Sequence, residues 1–208
     1  LPRGLHTLLE AMMAHWRCEC RDGLLLHAGM VAKGDRGVLL AGPSGAGKST
    51  LSAWLCAQGW VGHGDEWVHS RAQRCQGLRR PWVLKGDWRS LLPPQCELGT
   101  LASEVEGRSL VPASAFGAGG DAGPLPASCA PSLILFPRYQ AGSAFEFRRL
   151  SPARATLGLM EVLLNGPLRP HGGLPELAAL ARLAPAYELH YGDFNQLEPV
   201  LSMLREPH

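Results

Sequence analysis

Residues Gly42-Pro43-Ser44-Gly45-Ala46-Gly47-Lys48-Ser49 fit the pattern G-x-x-x-x-G-K-[ST] at every fixed position. Such a turn works only between a strand and a helix, because successive backbone N–H groups and the helix N-terminus must surround a polyphosphate. The flanks agree. Gly37 to Ala41 is a short apolar run of β type, and Ser49 to Gln58 has helical spacing, with Leu51 and Leu55 four apart. The phosphate-binding residues are then Gly42, Pro43, Ser44, Gly45, Ala46, Gly47, Lys48, Ser49 and Thr50, with Lys48 neutralising the β and γ oxygens.

The chain has 208 residues, enough for one α/β domain with a proper core and too few for two ordinary domains with a linker. One domain over residues 1–208 is expected. No apolar run approaches the roughly 20 residues that cross a bilayer, so no membrane span is expected. The formal net charge is +2 and no basic cluster exceeds Arg79-Arg80 or Arg148-Arg149, which argues against a nucleic-acid partner. Six cysteines are scattered, with only Cys18 and Cys20 close together, so they read as reduced thiols rather than a zinc site. No signal-peptide pattern is read at Leu1, and an NTP-dependent enzyme belongs in a reducing compartment; the expectation is a cytoplasmic protein.

Along the chain, Leu5, Leu8, Leu9, Met12, Met13 and Trp16 recur at helical spacing and predict an amphipathic helix with a core-facing stripe. Leu24 to His27 and Gly29 to Ala32 read as strand, turning at 33–37 into the strand before the Gly-rich loop. Gly59 closes the following helix, and Trp60 to Gly62 opens a strand that ends at Gly64-Asp65-Glu66. Arg80 to Lys85 reads as an edge strand, residues 117–131 as a long loop, and Ser132 to Phe136 as a buried strand partnered by Ala144 to Arg149. Ser151-Pro152 starts a helix expected to run to about Asn165. A helix at Pro175 to Leu183, a strand at Tyr187 to His190 and a helix at Leu197 to Leu204 follow. Trp60, Trp67, Trp82 and Trp88 read as core, with adenine stacking the competing role.

A Gly-rich phosphate loop means nucleotide binding; a reaction needs its neighbours. Asp65 lies 16 residues after Ser49, room for one helix, a tight turn and one short strand. That puts Asp65 at the C-terminal end of the next strand, where open α/β sheets hold their ligands. A carboxylate there can hold Mg²⁺ or take the proton from an attacking hydroxyl, and Glu66 offers a second acid. A solvated loop pair is the competing reading. His27, at the end of an apolar run, is either a satisfied core side chain or a group that orients the carboxylate. Lys85 and Arg138 are the further cations proposed to stabilise charge on a transferring phosphoryl group, against the default of surface charge.

The combination of His27-Ala28-Gly29, an apolar strand, GPSGAGKST, Gly59-Trp60 and Gly64-Asp65-Glu66 resembles the catalytic core of the HPr serine kinase/phosphorylase family, whose fold is shared with phosphoenolpyruvate carboxykinase. More closely, the chain resembles the short HPr-kinase-related proteins of bacterial peptide-modification gene sets, including kinases of lasso-peptide precursors. Pro81 to Lys85, Leu135 to Tyr139 and Leu189 to Asp193 also resemble that subgroup. The resemblance implies an α/β fold, a single P-loop domain of the HPr kinase/phosphoenolpyruvate carboxykinase type with a mixed β-sheet flanked by helices. It implies ATP and Mg²⁺ as cofactors, a peptide or protein serine as acceptor, and a homo-oligomer. It assigns Asp65 as the base with His27 beside it, Lys48 to the phosphates, and Ser49, Asp65 and Glu66 to the metal. Glu66 stands where the family has a second Asp. The family's long N-terminal domain and its Gly-rich segment after the core are not recognisable, so HPr itself and a reverse phosphorylase activity are not implied.

Two other functions fit the motif. A small-molecule kinase of the nucleoside-monophosphate or shikimate type also places an acid one helix and one strand after the loop, but normally carries an Arg-rich lid that this sequence lacks. A regulatory module that binds nucleotide without turnover would not need Asp65.

Overall fold

The computed structural model describes residues 3–78, 80–85, 103–105, 108–111 and 127–205, and within these the side chains of 3–6, 9–10, 103–105 and 108 are left aside. Helix α1 (Arg3–Glu19) leads into β1 (Leu24–Lys33), β2 (Arg36–Ala41), α2 (Lys48–Ala57), β3 (Val61–Gly64), β4 (Trp67–Arg71) and β5 (Arg74–Gly77). Three short strands follow, β6 (Trp82–Lys85), β7 (Ser103–Val105) and β8 (Arg108–Val111). The chain continues through β9 (Ala130–Tyr139), β10 (Glu146–Leu150), α3 (Pro152–Glu161), α4 (Leu174–Leu183), β11 (Ala186–Tyr191) and α5 (Glu198–Arg205). The architecture is α/β with a mixed open sheet flanked by helices. Its eight-stranded sheet runs β10-β11-β9-β2-β1-β4-β5, with β3 also on β1, and β6-β8-β7 form a separate small sheet.

Strands β2, β9 and β11 are parallel, so their C-terminal ends meet at one rim, and the Gly-rich loop leaves β2 there. Alternate residues of each strand face opposite layers. Val38 and Leu40 of β2 pack with Leu51 and Leu55 of α2 and Leu201 of α5, whereas Leu39 and Ala41 pack with Leu159 of α3 and Leu177 of α4. Both faces of β2 are buried, which is why its sequence is a continuous apolar run rather than an alternating one.

Strand β1 is antiparallel to β2, and along its other edge it pairs twice. Leu24 to His27 lie against β4, and Met30 to Ala32 against β3. Between the two, the chain bends outward at Asp65 and Glu66, held by a hydrogen bond from the Ala28 N–H to the Glu66 carbonyl (3.1 Å). His27 sits at this gap as the half-exposed position in a strand otherwise buried from Leu24 to Ala32.

Several sequence expectations need correction. Helix α3 stops at Glu161, because Val162 to Asn165 leave it to hydrogen-bond with β1: the Val162 carbonyl accepts from His27 N–H and the Leu164 N–H donates to the Leu25 carbonyl, each at 2.8 Å. They fill the edge of β1 that β2 leaves open beyond Ala28. Strand β10 pairs with β11 and not with β9, since β11 inserts between them. In α1, Leu8 and Met12 face solvent and Met13 is buried. The helix packs by that side and by its C-terminal end, in a small cluster with Cys20, Leu25 and Trp67. Ser151 caps α3 as its sequence predicts, accepting from Arg154 N–H. Trp60, Trp67 and Trp82 are buried in apolar clusters. Trp88 and residues 117–126 of the expected loop lie outside the described residues; Ala130 and Pro131 belong to β9.

Candidate functional site

The Gly-rich loop is built by backbone geometry. Gly47 is the N-cap of α2 with φ of 90°, a left-handed conformation that side chains rarely adopt. A Cβ there would also lie 3.0 Å from Tyr139 Cβ and 3.3 Å from the Tyr191 hydroxyl, so the loop rests directly on β9 and β11. The Tyr139 N–H fixes it from below through the Ala46 carbonyl (3.2 Å). Among the described residues no side chain caps α2, which leaves its first-turn N–H groups for an anion. Lys48, 5 % exposed, folds back and donates to the carbonyls of Gly42 (2.7 Å) and Pro43 (2.9 Å). Its ammonium therefore lies at the mouth of the loop. Burial lowers its pKa, and Lys85 lowers it further, while Glu66 and Asp65 oppose the shift.

Asp65 is the second element. The bend between β3 and β4 brings it beneath the N-terminal end of α2, where it is 1 % exposed. One oxygen, Oδ2, accepts from the Val83 N–H at 3.0 Å, which ties β6 to the site. The other, Oδ1, lies 3.7 Å from Arg80 Nε, too far for a hydrogen bond. The Ser49 hydroxyl comes close enough to lower the carboxyl pKa, yet Oδ1 completes no hydrogen bond among the described residues. Burial dominates the balance. It pushes the Asp65 pKa up to about 6, against the favourable charge of Arg80 and the Val83 and Ser49 contacts.

Glu66 points outward from the same bend. Its Oε2 accepts from Arg80 Nη2 at 2.8 Å, and its Oε1 lies 3.5 Å from His27 Nε2. Burial and the charges of Lys48, Arg80 and Lys85 lower the His27 pKa, with only Glu66 opposing them, so His27 is neutral at pH 7. His27 thus meets Glu66 directly and Asp65 through it. Lys85, exposed at the end of β6, is near enough for its charge to act on both His27 and Lys48.

The structure therefore brings together Lys48, Ser49, Asp65, Glu66, His27 and Lys85. It does not bring Arg138 to them. Arg138 lies on β9 two residues beyond Phe136, on the α3 side of the sheet. Arg80 was missed by sequence reasoning, in which it was only half of a basic pair. Its side chain is 5 % exposed and contacts both acids. The available signal was its place just before Pro81, where β6 begins and swings under the bend. Tyr191 was also missed as a site residue: its buried hydroxyl reaches Gly47.

Hard oxygen donors at Asp65 Oδ1 and Ser49 suit Mg²⁺. Among the described residues, no three His, Cys, Asp or Glu side chains converge to hold a metal alone, so phosphate oxygens and water would complete its shell. Glu66 would have to leave Arg80 to join them. Lys48, Arg80 and Lys85 against Asp65 and Glu66 leave the site an excess of positive charge, which suits a polyphosphate. No protein-family model matches this chain, and no curated protein matches it. Among the described residues, no helix is long and apolar enough to cross a membrane.

Proposed function

We propose that the chain is an ATP-dependent kinase that transfers the γ-phosphoryl group to a serine hydroxyl of a peptide or protein, with a fold of the HPr kinase/phosphoenolpyruvate carboxykinase type, working in the cytoplasm. One observation carries this reading. A carboxylate whose pKa is raised to about 6 lies buried beside the Lys48-Ser49 end of a phosphate-binding loop, with one oxygen left without a hydrogen bond among the described residues. Near pH 7 such a group is mostly ionised and still basic enough to accept a proton as a new bond forms.

In the proposed step the serine oxygen bonds to the γ-phosphorus, the bond from that phosphorus to the β–γ bridging oxygen breaks, and ADP leaves. The serine proton goes to Asp65. Lys48 leaves the Gly42 and Pro43 carbonyls to meet the phosphate oxygens, and Arg80 holds the two acids apart in fixed positions. His27 lies beside Glu66, whose hydrogen bond in turn fixes Arg80. Mg²⁺ held by Ser49 and Asp65 would neutralise charge on the phosphates. The antiparallel hairpin of β1 and β2 that feeds the loop, and the short path from α2 to Asp65, support the fold assignment.

Incubation with γ-³²P-ATP, Mg²⁺ and serine peptides tests the reading. Labelled peptide, lost in Asp65→Asn, is expected. Label appearing only in small metabolites would replace it with a small-molecule kinase, and tight ATP binding without transfer would replace it with a nucleotide-binding module.

A further inference from the structure

A cavity of about 410 Å³ opens on the α3 side of the sheet and shares Gly42 and Pro43 with the phosphate loop. Its wall combines Phe136 and Arg138 of β9 with Arg154 and Leu157 of α3. The seat is rigid. A Cβ on Gly158 would lie 2.5 Å from Phe136 Cε1, so α3 is pressed onto β9 with no slack. Leu157 is 61 % exposed and Met160, one turn on, 43 %. Of the two, Leu157 lines the cavity and gives its wall an exposed apolar element.

The end of the nucleotide that this cavity faces follows from Lys48. Its ammonium rests on the carbonyls of Gly42 and Pro43, so those two residues flank the terminal phosphates, and the nucleoside lies at the other end, toward the first turn of α2. The cavity therefore borders the loop next to the phosphate that is transferred, on its β9 side, with Asp65 across the loop on the β1 side.

Its charges select among acceptors. Among the described residues, four ionisable side chains face it: Arg138, Arg154, Glu161 and Glu188. Glu188 is already bound by Arg148, which holds its carboxyl below the usual range, and Arg138 lowers it further. Removing that neutralised acid leaves Arg138 and Arg154 against Glu161, a net positive wall beside Leu157. Resting on the serine-kinase reading above, we propose that this cavity binds the acceptor chain, and that Arg138 and Arg154 select a serine flanked by an acidic side chain and an apolar one. Arg138 thereby acts on the acceptor and not on the γ-phosphate.

The test is an arrayed library of serine decapeptides, each flanking position varied in turn, labelled with γ-³²P-ATP. Arg138 and Arg154 are exposed, so the double variant R138E/R154E keeps the fold. Wild type is expected to favour Asp or Glu over Lys at one or more flanking positions by about tenfold, consistent with one well-placed charge pair. In R138E/R154E the same positions should favour Lys, with the ATP dissociation constant within twofold of wild type. Leu157→Glu should lower labelling of peptides with an apolar flank selectively. An unchanged position preference in R138E/R154E overturns the inference and leaves the kinase reading standing. So does a parallel loss of ATP binding, which would assign the cavity to the nucleoside. If wild type binds ATP and labels no peptide, the serine-kinase reading falls and takes the inference with it.

Discussion

Asp65 and Asn165 are equally buried, each 1 % exposed, and both hold polar atoms deep against β1. Their surroundings differ completely. Asn165 spends its whole side chain on the backbone: Oδ1 accepts from Leu25 N–H at 2.9 Å, and Nδ2 donates to the carbonyls of Cys20 (2.8 Å) and Gly23 (3.1 Å). It ties the end of α1, the turn before β1 and the segment after α3 into one knot. Asp65 satisfies one oxygen and leaves the other against a cation at 3.7 Å. A buried polar group with every bond made is architecture. One kept short of its bonds, with its proton affinity raised as a result, is available for chemistry.

The sharpest way to break this distinction is to neutralise each group. Asp65→Asn keeps the shape and removes the base, so peptide labelling should fall by roughly a thousandfold while ATP affinity changes by no more than a few-fold. A variant that retained a tenth of the activity would remove Asp65 from the reaction. Asn165→Ala should do the reverse. It leaves one N–H and two carbonyls buried without partners, at a cost of about 3 kcal/mol in stability, read as a fall of roughly 10 °C in the melting temperature. Below that temperature its turnover should match wild type.

Acidity separates the two residues further. The Asp65 pKa is near 6 in the folded chain and about 3.9 when unfolded, so between those values the native state binds the extra proton. Stability from this group is fully present below about pH 4 and is lost as pH rises through 6, a change of roughly 3 kcal/mol. Asp65→Asn has no such term. In urea melts without nucleotide, its stability relative to wild type should therefore climb between pH 4 and 7. A constant offset from the altered Arg80 contact moves the curve and leaves its slope intact. The same comparison for Asn165→Ala should be flat, and a slope there would mean that the knot contains a titrating group.

The Gly-rich loop, the position of Asp65 and the strand carrying His27 were legible in the sequence because each rests on local rules: a turn that needs glycine, a helix of set length, an apolar run. What sequence could not supply was long-range. Nothing near Val162 signals that the chain leaves α3 to bond with β1, since the cause is an empty strand edge 135 positions earlier at His27. Nothing near Arg80 shows that β6 folds under the bend at Asp65. Arg138 has the same composition cue as Lys85, and only the pleat of β9 puts it on the other face. The stripe of α1 shows the opposite failure: a regular apolar spacing predicted burial for Leu8 and Met12, yet both face solvent, and Met13 packs in the cluster with Cys20, Leu25 and Trp67.

Arg80 offers the smallest test of the opening contrast and the most specific one. If Asp65 is tuned rather than merely buried, its proton affinity must respond to the charge beside it. Burial raises the pKa and Arg80 is the largest influence against it, so Arg80→Gln should push it higher still. The ionised form is the one that accepts the serine proton, so the acid limb of the turnover–pH profile follows the Asp65 pKa as the Mg²⁺–ATP complex sets it. In Arg80→Gln that limb should move up by about one pH unit, with the plateau above pH 8 lowered only slightly. Simple loosening of the bend would act differently, lowering the plateau and leaving the limb where it was.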